Sequence, residues 1–323
     1  MPSFIKHLFF LSTLLFMLSA CNNMTDESLR LAHINWPGYE ALSLAKSRNL
    51  YQNINIKIYR PANNSLAARA FTNNIVDVVA LTLTEAIEAQ SKSSEPLMII
   101  AALDISNGGD VIIANKNIKS LKELEGKRIG IEPTAFGAFF ISRAAASSPQ
   151  LELNKIHLVP INIEEHHKMF LENKVDAIAT YEPEKSKILH QKGHVLFDST
   201  KIPNEIIDVL VTRTSYAEKN PQALTQLLNG YFKALQQIKN NPDSAIETMA
   251  KYENIHSNEF KKSLDGIHIL DRKENLELLA GASPKLKATA IKIRQFMQRK
   301  KIITSENNIL PEISDRFLLI KKD

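Results

Sequence analysis

From residue 29 onward the apolar positions fall into short blocks whose period switches between two and about 3.6. LRLAHI (29–34) reads as a strand, and INIKIYR (54–60) sets Ile54, Ile56 and Ile58 at period two. Between them, YEALSLAKSRNLY (39–51) has helical spacing. NNSLAARAFTNN (63–74) is a helix with an asparagine at each end suited to capping it. VDVVAL (76–81) is an unbroken apolar run of buried-strand length, TEAIEAQSK (84–92) is helical, and LMIIAALDI (97–105) is strand-like again. Strands spaced by helices of this length predict a parallel sheet with covering helices.

The pattern then restarts. DVIIA (110–114), RIGIE (128–132), IHLVPI (156–161), VDAIATY (175–181) and HVLFD (194–198) read as strands. The intervening helices are SLKELEGK (120–127), AFGAFFISRAAAS (135–147), IEEHHKMFLEN (163–173) and EPEKSKILHQKG (182–193), the last with Pro183 in its first turn and Gly193 just past its end. IIDVLVTR (206–213) is one more strand, and the rest reads as helical: 221–240, 242–252, 257–266 and 284–300. Two α/β units in sequence followed by a helical tail are expected. Short echoes such as NNIVDVVAL and NKVDAIAT suggest units of similar build.

One segment stands out from this periodicity. INWPGYE (34–40) holds the only tryptophan of the chain, beside a proline, a glycine and a tyrosine, at a corner between a strand and a helix. A corner of that kind faces outward unless something covers it.

Composition adds limits. With 323 residues the chain has room for one large domain or two of about 150. The formal charge of +5 is spread without a basic stripe, and the cluster at 299–301 reads as a solvated helix end, so nucleic acid is not an expected partner. At the N-terminus, eleven apolar residues (8–18) are too few to span a bilayer but suit the core of a secretory signal. Leu18-Ser19-Ala20-Cys21 resembles the lipobox of bacterial lipoproteins, in which the cysteine is acylated and becomes the first residue. Cys21 is the only cysteine, so no disulfide within the chain is possible. A plain signal peptide with an incidental cysteine, or a buried structural cysteine, is the alternative. The expectation is a signal peptide over 1–20, a lipidated tether over 21–28 and a body facing the periplasm or the cell exterior.

The segments INWPGYEALSLAKSRNLY, NNIVDVVALTLTEAIEA, SNGGDVIIANKNIKSLKELEGKRIGI and NKVDAIATYEPEKSKI, in this order, resemble the substrate-binding lipoproteins of ABC importers. The branch is the one for nitrate, sulfonate, taurine and thiamine-precursor uptake. Asn74 stands where glycine is frequent in that pattern. The resemblance covers about residues 30–300. It implies an α/β, two-lobed periplasmic-binding-protein fold of type II, with two crossing hinge strands. Lobe one would hold 29–107 and 203–323, with the C-terminal helices packed on it, and lobe two 108–202. It also implies a monomer without a cofactor, whose partners are a small-molecule ligand and an ABC permease. A membrane sensor in place of the permease is the alternative.

Ligands of such sheets sit off the carboxyl ends of the strands. Asn35, Trp36, Gly38 and Tyr39 follow the first strand, with Pro37 stiffening the loop, Gly38 permitting close approach and Trp36 offering a flat surface. The ligand and the opposite lobe would cover the indole; a tryptophan plugging the lobe core is the alternative. Thr82 and Thr84 follow VVAL, as ligand contacts or as helix caps. Thr134, Ala135 and Phe136 follow RIGI at a helix N-terminus, where free N–H groups face outward. Tyr181 and Glu182 follow AIAT, and Glu182 could equally be a first-turn helix charge. Asp110, beyond Asn107 and two glycines at the hinge, reaches the ligand or bonds the crossing backbone.

This lining has aromatics, hydroxyls and up to two carboxylates, with no arginine or lysine at these strand ends. It favours an amine or nitrogen heterocycle over sulfonate or nitrate, through stacking and cation–π contact of ~0.5–2 kcal/mol. His166-His167 after Glu164-Glu165 lack metal-ligand spacing and read as a solvated helix face. No nucleophile-elbow, P-loop or dinucleotide-binding motif is present. Eukaryotic pyrimidine synthases share the fold but rely on a cysteine-rich motif that one cysteine cannot supply. A receptor without catalysis is therefore expected, with no catalytic residue and no metal. Some bacterial dehydratases built on a two-lobed binding-protein fold keep an enzyme as a minor alternative.

Overall fold

The computed structural model describes residues 28–303 and 309–319. The segments expected to be a signal peptide and most of a lipidated tether, with Cys21, lie outside the described residues. Four strands come first: β1 (Leu29–Ala32), β2 (Ile56–Tyr59), β3 (Val78–Thr82) and β4 (Leu97–Ser106). Five follow: β5 (Val111–Ala114), β6 (Arg128–Ile131), β7 (His157–Pro160), β8 (Ala177–Thr180) and β9 (His194–Asp198). The last three are β10 (Ile207–Arg213), β11 (Ile267–Ile269) and β12 (Glu312–Ile313).

These strands form two sheets. The first has the order β11-β4-β10-β3-β1-β2, with β12 also on β4; the second has the order β7-β6-β8-β5-β9. The chain crosses between them twice, from β4 to β5 and from β9 back to β10. Pairing around β1 is parallel, whereas β10 runs antiparallel between β3 and β4. In the second sheet β6 is parallel to β7 and β8, and β5 is antiparallel to β8 and β9. Burial explains the composition of the central strands: every residue of β3, β5 and β10 is buried, so these strands are mostly apolar where a half-exposed strand would alternate, with Thr82, Asp208, Thr212 and Arg213 as buried polar exceptions.

The echo between the two units has a structural meaning. Asp77, before β3, accepts from the Arg30 backbone N–H at 2.9 Å and pairs with its guanidinium at 2.6 Å. Asp176, before β8, does the same to Arg128, at 2.9 and 3.0 Å. Each Val-Asp thus ties the start of its own strand to the start of the parallel neighbour. Asn74, with φ of 57°, adopts the left-handed conformation for which glycine is favoured.

Several elements differ from the sequence expectation. The tail is not wholly helical: β11 and β12 are added to β4, and further helices lie at Thr214–Lys219 and Arg272–Leu279. A strand of two or three residues leaves no period to read. The segment 39–51 is a 3-10 turn over Pro37–Tyr39 and a helix over Glu40–Ser47. Residues 120–127 yield only a 3-10 turn, Leu121–Leu124. The helix expected over 182–193 starts at Glu184 and ends at Leu189. His166 is not on a solvated face: it is buried, bonded to Thr180 Oγ1 (3.0 Å) and the Ile161 carbonyl (3.1 Å), and burial lowers its pKa to about 4.

Candidate ligand site: a closed cleft of aromatics and carboxyls

The loop after β1 is built inward. Pro37 opens the 3-10 turn, and the Tyr39 N–H closes it on the Trp36 carbonyl at 2.9 Å. Gly38 is required by space: a Cβ there would come within 2.2 Å of Asp104 Oδ2 and 2.6 Å of Trp36 Nε1. This close approach lets the indole N–H reach both carboxylate oxygens of Asp104 at 3.2 Å. Trp36 is only 4% exposed. Its far edge lies over Gly109, and Tyr181 of the second lobe meets it edge-on at 5.9 Å between ring centroids. The cover on the indole is thus the opposite lobe and the crossing segment.

A narrow cavity of about 20 Å³, enough for about one water, remains at this junction. Lobe one contributes Ile34, Trp36, Tyr39, Asn64 and Thr82; lobe two contributes Phe136 and Tyr181. Asp110, Ile206 and Asp208 come from the crossings and the start of β10. Six of the twelve residues expected from the strand-end rule therefore meet here: Trp36, Tyr39, Thr82, Asp110, Phe136 and Tyr181. Gly38 stands directly behind them.

The other five lie elsewhere. Asn35 is exposed and accepts from the Arg60 guanidinium at 2.6 Å. Thr84 is buried one residue inside its helix, and the cap is Thr82, in a reciprocal capping box with Glu85. Thr134 caps its helix through the Gly137 N–H (3.1 Å), and with Ala135 it lines an outer groove of about 810 Å³. Glu182 is buried but turned away. It accepts from Ser186 at 3.1 and 3.2 Å, pairs with Lys185 at 3.1 Å, and borders another groove of about 500 Å³. Chain direction explains this: after β8 the backbone turns outward at Pro183, so only Tyr181 points into the junction.

The strand-end rule missed the residues that dominate the electrostatics. Asp104 lies within β4 and Asp208 within β10, directly opposite each other across the ladder. Glu85 and Glu132 are also buried there. Burial is the largest cause raising all of these carboxyls: Asp104, Asp110 and Glu132 to about 7 and Glu85 to about 8, with Asp208 pushed well above the usual aspartate range. Burial likewise pushes the Tyr39 and Tyr181 phenols up. Glu132 joins the lobes, accepting from the Tyr181 hydroxyl at 3.1 Å and from the Asn64 backbone N–H at 3.3 Å. Oδ1 of Asn64 and Oδ1 of Asp208, both buried, find no donor among the described residues. The available signal was the lone aspartate in each of two largely apolar strands, LMIIAALDIS and IDVLVTR.

Two sheets joined by two crossings, with a site between them at the strand ends, define the periplasmic-binding-protein fold. The chain belongs to the NMT1/THI5-like family, whose model matches residues 36–245. A curated relative from Haemophilus influenzae, named provisionally as a thiamine biosynthesis protein, is 24% identical over 279 residues, covering 83% of this chain and 84% of its own. The aliphatic sulphonate-binding protein SsuA of Escherichia coli superposes with a TM-score of 0.71 at 20% identity, over 87% of this chain and 94% of its own. The nitrate-binding protein NrtA of Synechocystis PCC 6803 does so with a TM-score of 0.67 at 13% identity, over 88% and 84%.

Proposed function

We propose that the protein is an extracytoplasmic receptor, anchored through lipid on Cys21, that closes two lobes over a small organic ligand and delivers it to an ABC importer. The lobes divide at 107/108 and 202/203, and the receptor works as a monomer without catalysis. Its ligand carries a cationic or N–H-rich nitrogen on a flat ring. One observation carries this choice: buried Asp110 and Asp208 line a cavity that also holds aromatics but no lysine or arginine, and buried Asp104 and Glu132 stand behind it on Trp36 and Tyr181. A buried carboxyl is tolerated when protonated or paired, and a cationic ring between Trp36, Phe136 and Tyr181 supplies both the pairing and the stacking. Sulfonate and nitrate, named for the structural neighbours, would meet like charge here. The thiamine-related name of the Haemophilus relative accords with a nitrogen heterocycle.

A thermal-shift screen of the mature protein tests this, with amines, pyrimidines, amino acids, sulfonates, nitrate and carboxylates. A ligand at 100 times its Kd adds ~2.7 kcal/mol of stability and raises Tm by several degrees. A shift with nitrogen cations or heterocycles is expected. A shift confined to sulfonates or nitrate would keep the receptor and overturn the ligand class.

A further inference from the structure

Beneath the Trp36 loop two aspartates face one another with no base between them. Asp104 and Asp208 are register partners across β4 and β10, so their side chains are neighbours on one face of the sheet, and the Asp104 charge raises Asp208. Asp104 takes the indole N–H of Trp36 on both oxygens, and the Tyr39 hydroxyl acts on Asp208 from the same loop. One Asp208 oxygen still lacks a donor, and so does Asn64 Oδ1, on the same cavity wall. Hydrogen is therefore short at this point of the cleft.

The surroundings supply no positive charge to the pair. The helix Leu83–Lys92 presents Glu85, the crossing presents Asp110, and the segment after β6 presents Glu132. From the helix Pro221–Asn240, the Tyr231 hydroxyl donates to the Leu103 carbonyl at 3.3 Å. Lys185 is held by Glu182 and the Gly108 carbonyl, and it acts on Asp110. Arg60 is taken up by Glu40 and Asn35. Two neighbouring carboxyls, away from water and without a cation, cannot both ionise.

We propose that the Asp104–Asp208 pair is the charge-selecting element of the cleft: it holds one proton while the cleft is empty and surrenders it when a cationic nitrogen of the ligand seats against Asp208. The proton passes to solvent, and an N–H···O contact from the ligand takes its place at the pair. The charge of the site is the same before and after. An uncharged isostere cannot make this exchange, because it would leave two like charges side by side, and an anion adds a third. The inference rests on the nitrogen-ligand reading above and goes beyond it by stating what the ligand displaces.

The test uses the mature protein and three flat probes of matched shape: benzamidinium, benzamide and benzenesulfonate. Benzamidinium stays charged from pH 5.5 to 8.5, so any proton released comes from the protein. Calorimetry in two buffers of different ionisation heat should show about one proton released per benzamidinium between pH 7 and 8.5, where Asp104 has ionised and Asp208 still holds its proton. Affinity should rise with pH by up to about tenfold per unit in that range. Asp208→Asn should flatten both dependences. Binding of benzamidinium without proton release or pH dependence overturns the exchange and leaves the receptor standing. Preference for benzenesulfonate overturns both the exchange and the ligand class. If no probe binds, the infrared carbonyl band of protonated carboxyls decides, in ligand-free protein at neutral pH. A band lost in Asp208→Asn and in Asp104→Asn supports the shared proton, and its absence from the natural protein overturns it.

Discussion

Two of the contacts between the lobes are of opposite character. Away from the cleft, Phe139 of the second lobe packs edge-on against Phe296 of the C-terminal helix Lys285–Arg299, at 5.5 Å between centroids. Arg143 lies over the Phe296 ring at 4.9 Å, and its guanidinium is paired with Glu205 at 2.5 and 2.6 Å. In the cleft, Tyr181 also meets an aromatic edge, that of Trp36, but the surroundings are carboxyls and two buried oxygens lack donors. The first contact has its aromatic and charged groups mutually satisfied; the second leaves buried Asn64 Oδ1 and Asp208 Oδ1 without donors among the described residues. Aromatic contact between lobes therefore does not by itself mark a ligand site. What separates a pivot from a site is the account of buried polar atoms.

The largest difference expected between the two contacts is their response to pH. Asp110, raised to about 7 by burial, stays protonated in the folded protein while its unfolded counterpart ionises from about pH 4. The folded state thus binds more protons between these values, and stability falls as pH rises through that window. The contribution is fully present below about pH 4 and lost above about pH 7, and Asp110 alone accounts for about 4 kcal/mol as an upper bound. Glu85 and Glu132 act in the same direction. Ligand-free protein should melt lower at pH 8 than at pH 5, and chemical denaturation across this range checks it. A flat profile would mean that these carboxyls are hydrated, and the contrast with the pivot would disappear.

Phe296→Ala removes the ring on which the pivot rests. It should destabilise the protein by about 3–5 kcal/mol while changing the Kd of a ligand by less than about threefold. A matching loss of affinity would show that the pivot transmits into the cleft.

Trp36→Ala attacks the other contact. It deletes the stacking wall and strands Asp104 without its indole donor. Ligand affinity should fall by about 2–3 kcal/mol or more, on the scale of a central aromatic anchor. The melting temperature without ligand should fall less than for Phe296→Ala, since removing the indole opens the cleft to water. A larger fall would make Trp36 a core residue, the alternative its burial leaves standing.

The contrast between pivot and site was only half legible in the sequence. The alternation of strands and helices, the restart near residue 110 and the inward aromatics Trp36, Phe136 and Tyr181 follow from local period and from the rule that ligands sit at strand ends. Asp104 and Asp208 escaped that rule because they lie within strands, where their meaning depends on a pairing across 104 residues of chain. β11 escaped for the same reason: its three residues matter through Gly266, whose carbonyl accepts the Asn107 N–H at 2.8 Å beside the first crossing. Glu182 was misplaced because a sequence shows where a strand ends but not which way the chain turns afterwards. Asn64 was read only as part of a helix start, a role that its neighbour Asn63 fills by accepting the Leu66 N–H at 3.0 Å.

Asn63 and Asn64 give the finest division between closing the lobes and holding a ligand. Asn63 Nδ2 donates to Glu164 of the second lobe at 3.3 Å, while its Oδ1 caps the helix Asn64–Thr72. Asn64 touches Glu132 of lobe two through its backbone N–H and also through its side chain, but its Oδ1, on a residue that lines the cavity, has no donor among the described residues. Asn63→Ala should therefore cost about 1 kcal/mol of stability through the lost cap. Asn64→Ala should leave stability nearly unchanged and weaken ligand binding by about 1 kcal/mol, the worth of one hydrogen bond. Paired melting curves and binding isotherms of the two variants separate these effects. If Asn64→Ala lowers the melting temperature as much as Asn63→Ala and spares affinity, its carbonyl belongs to the framework, and the unsatisfied part of the cleft narrows to Asp208.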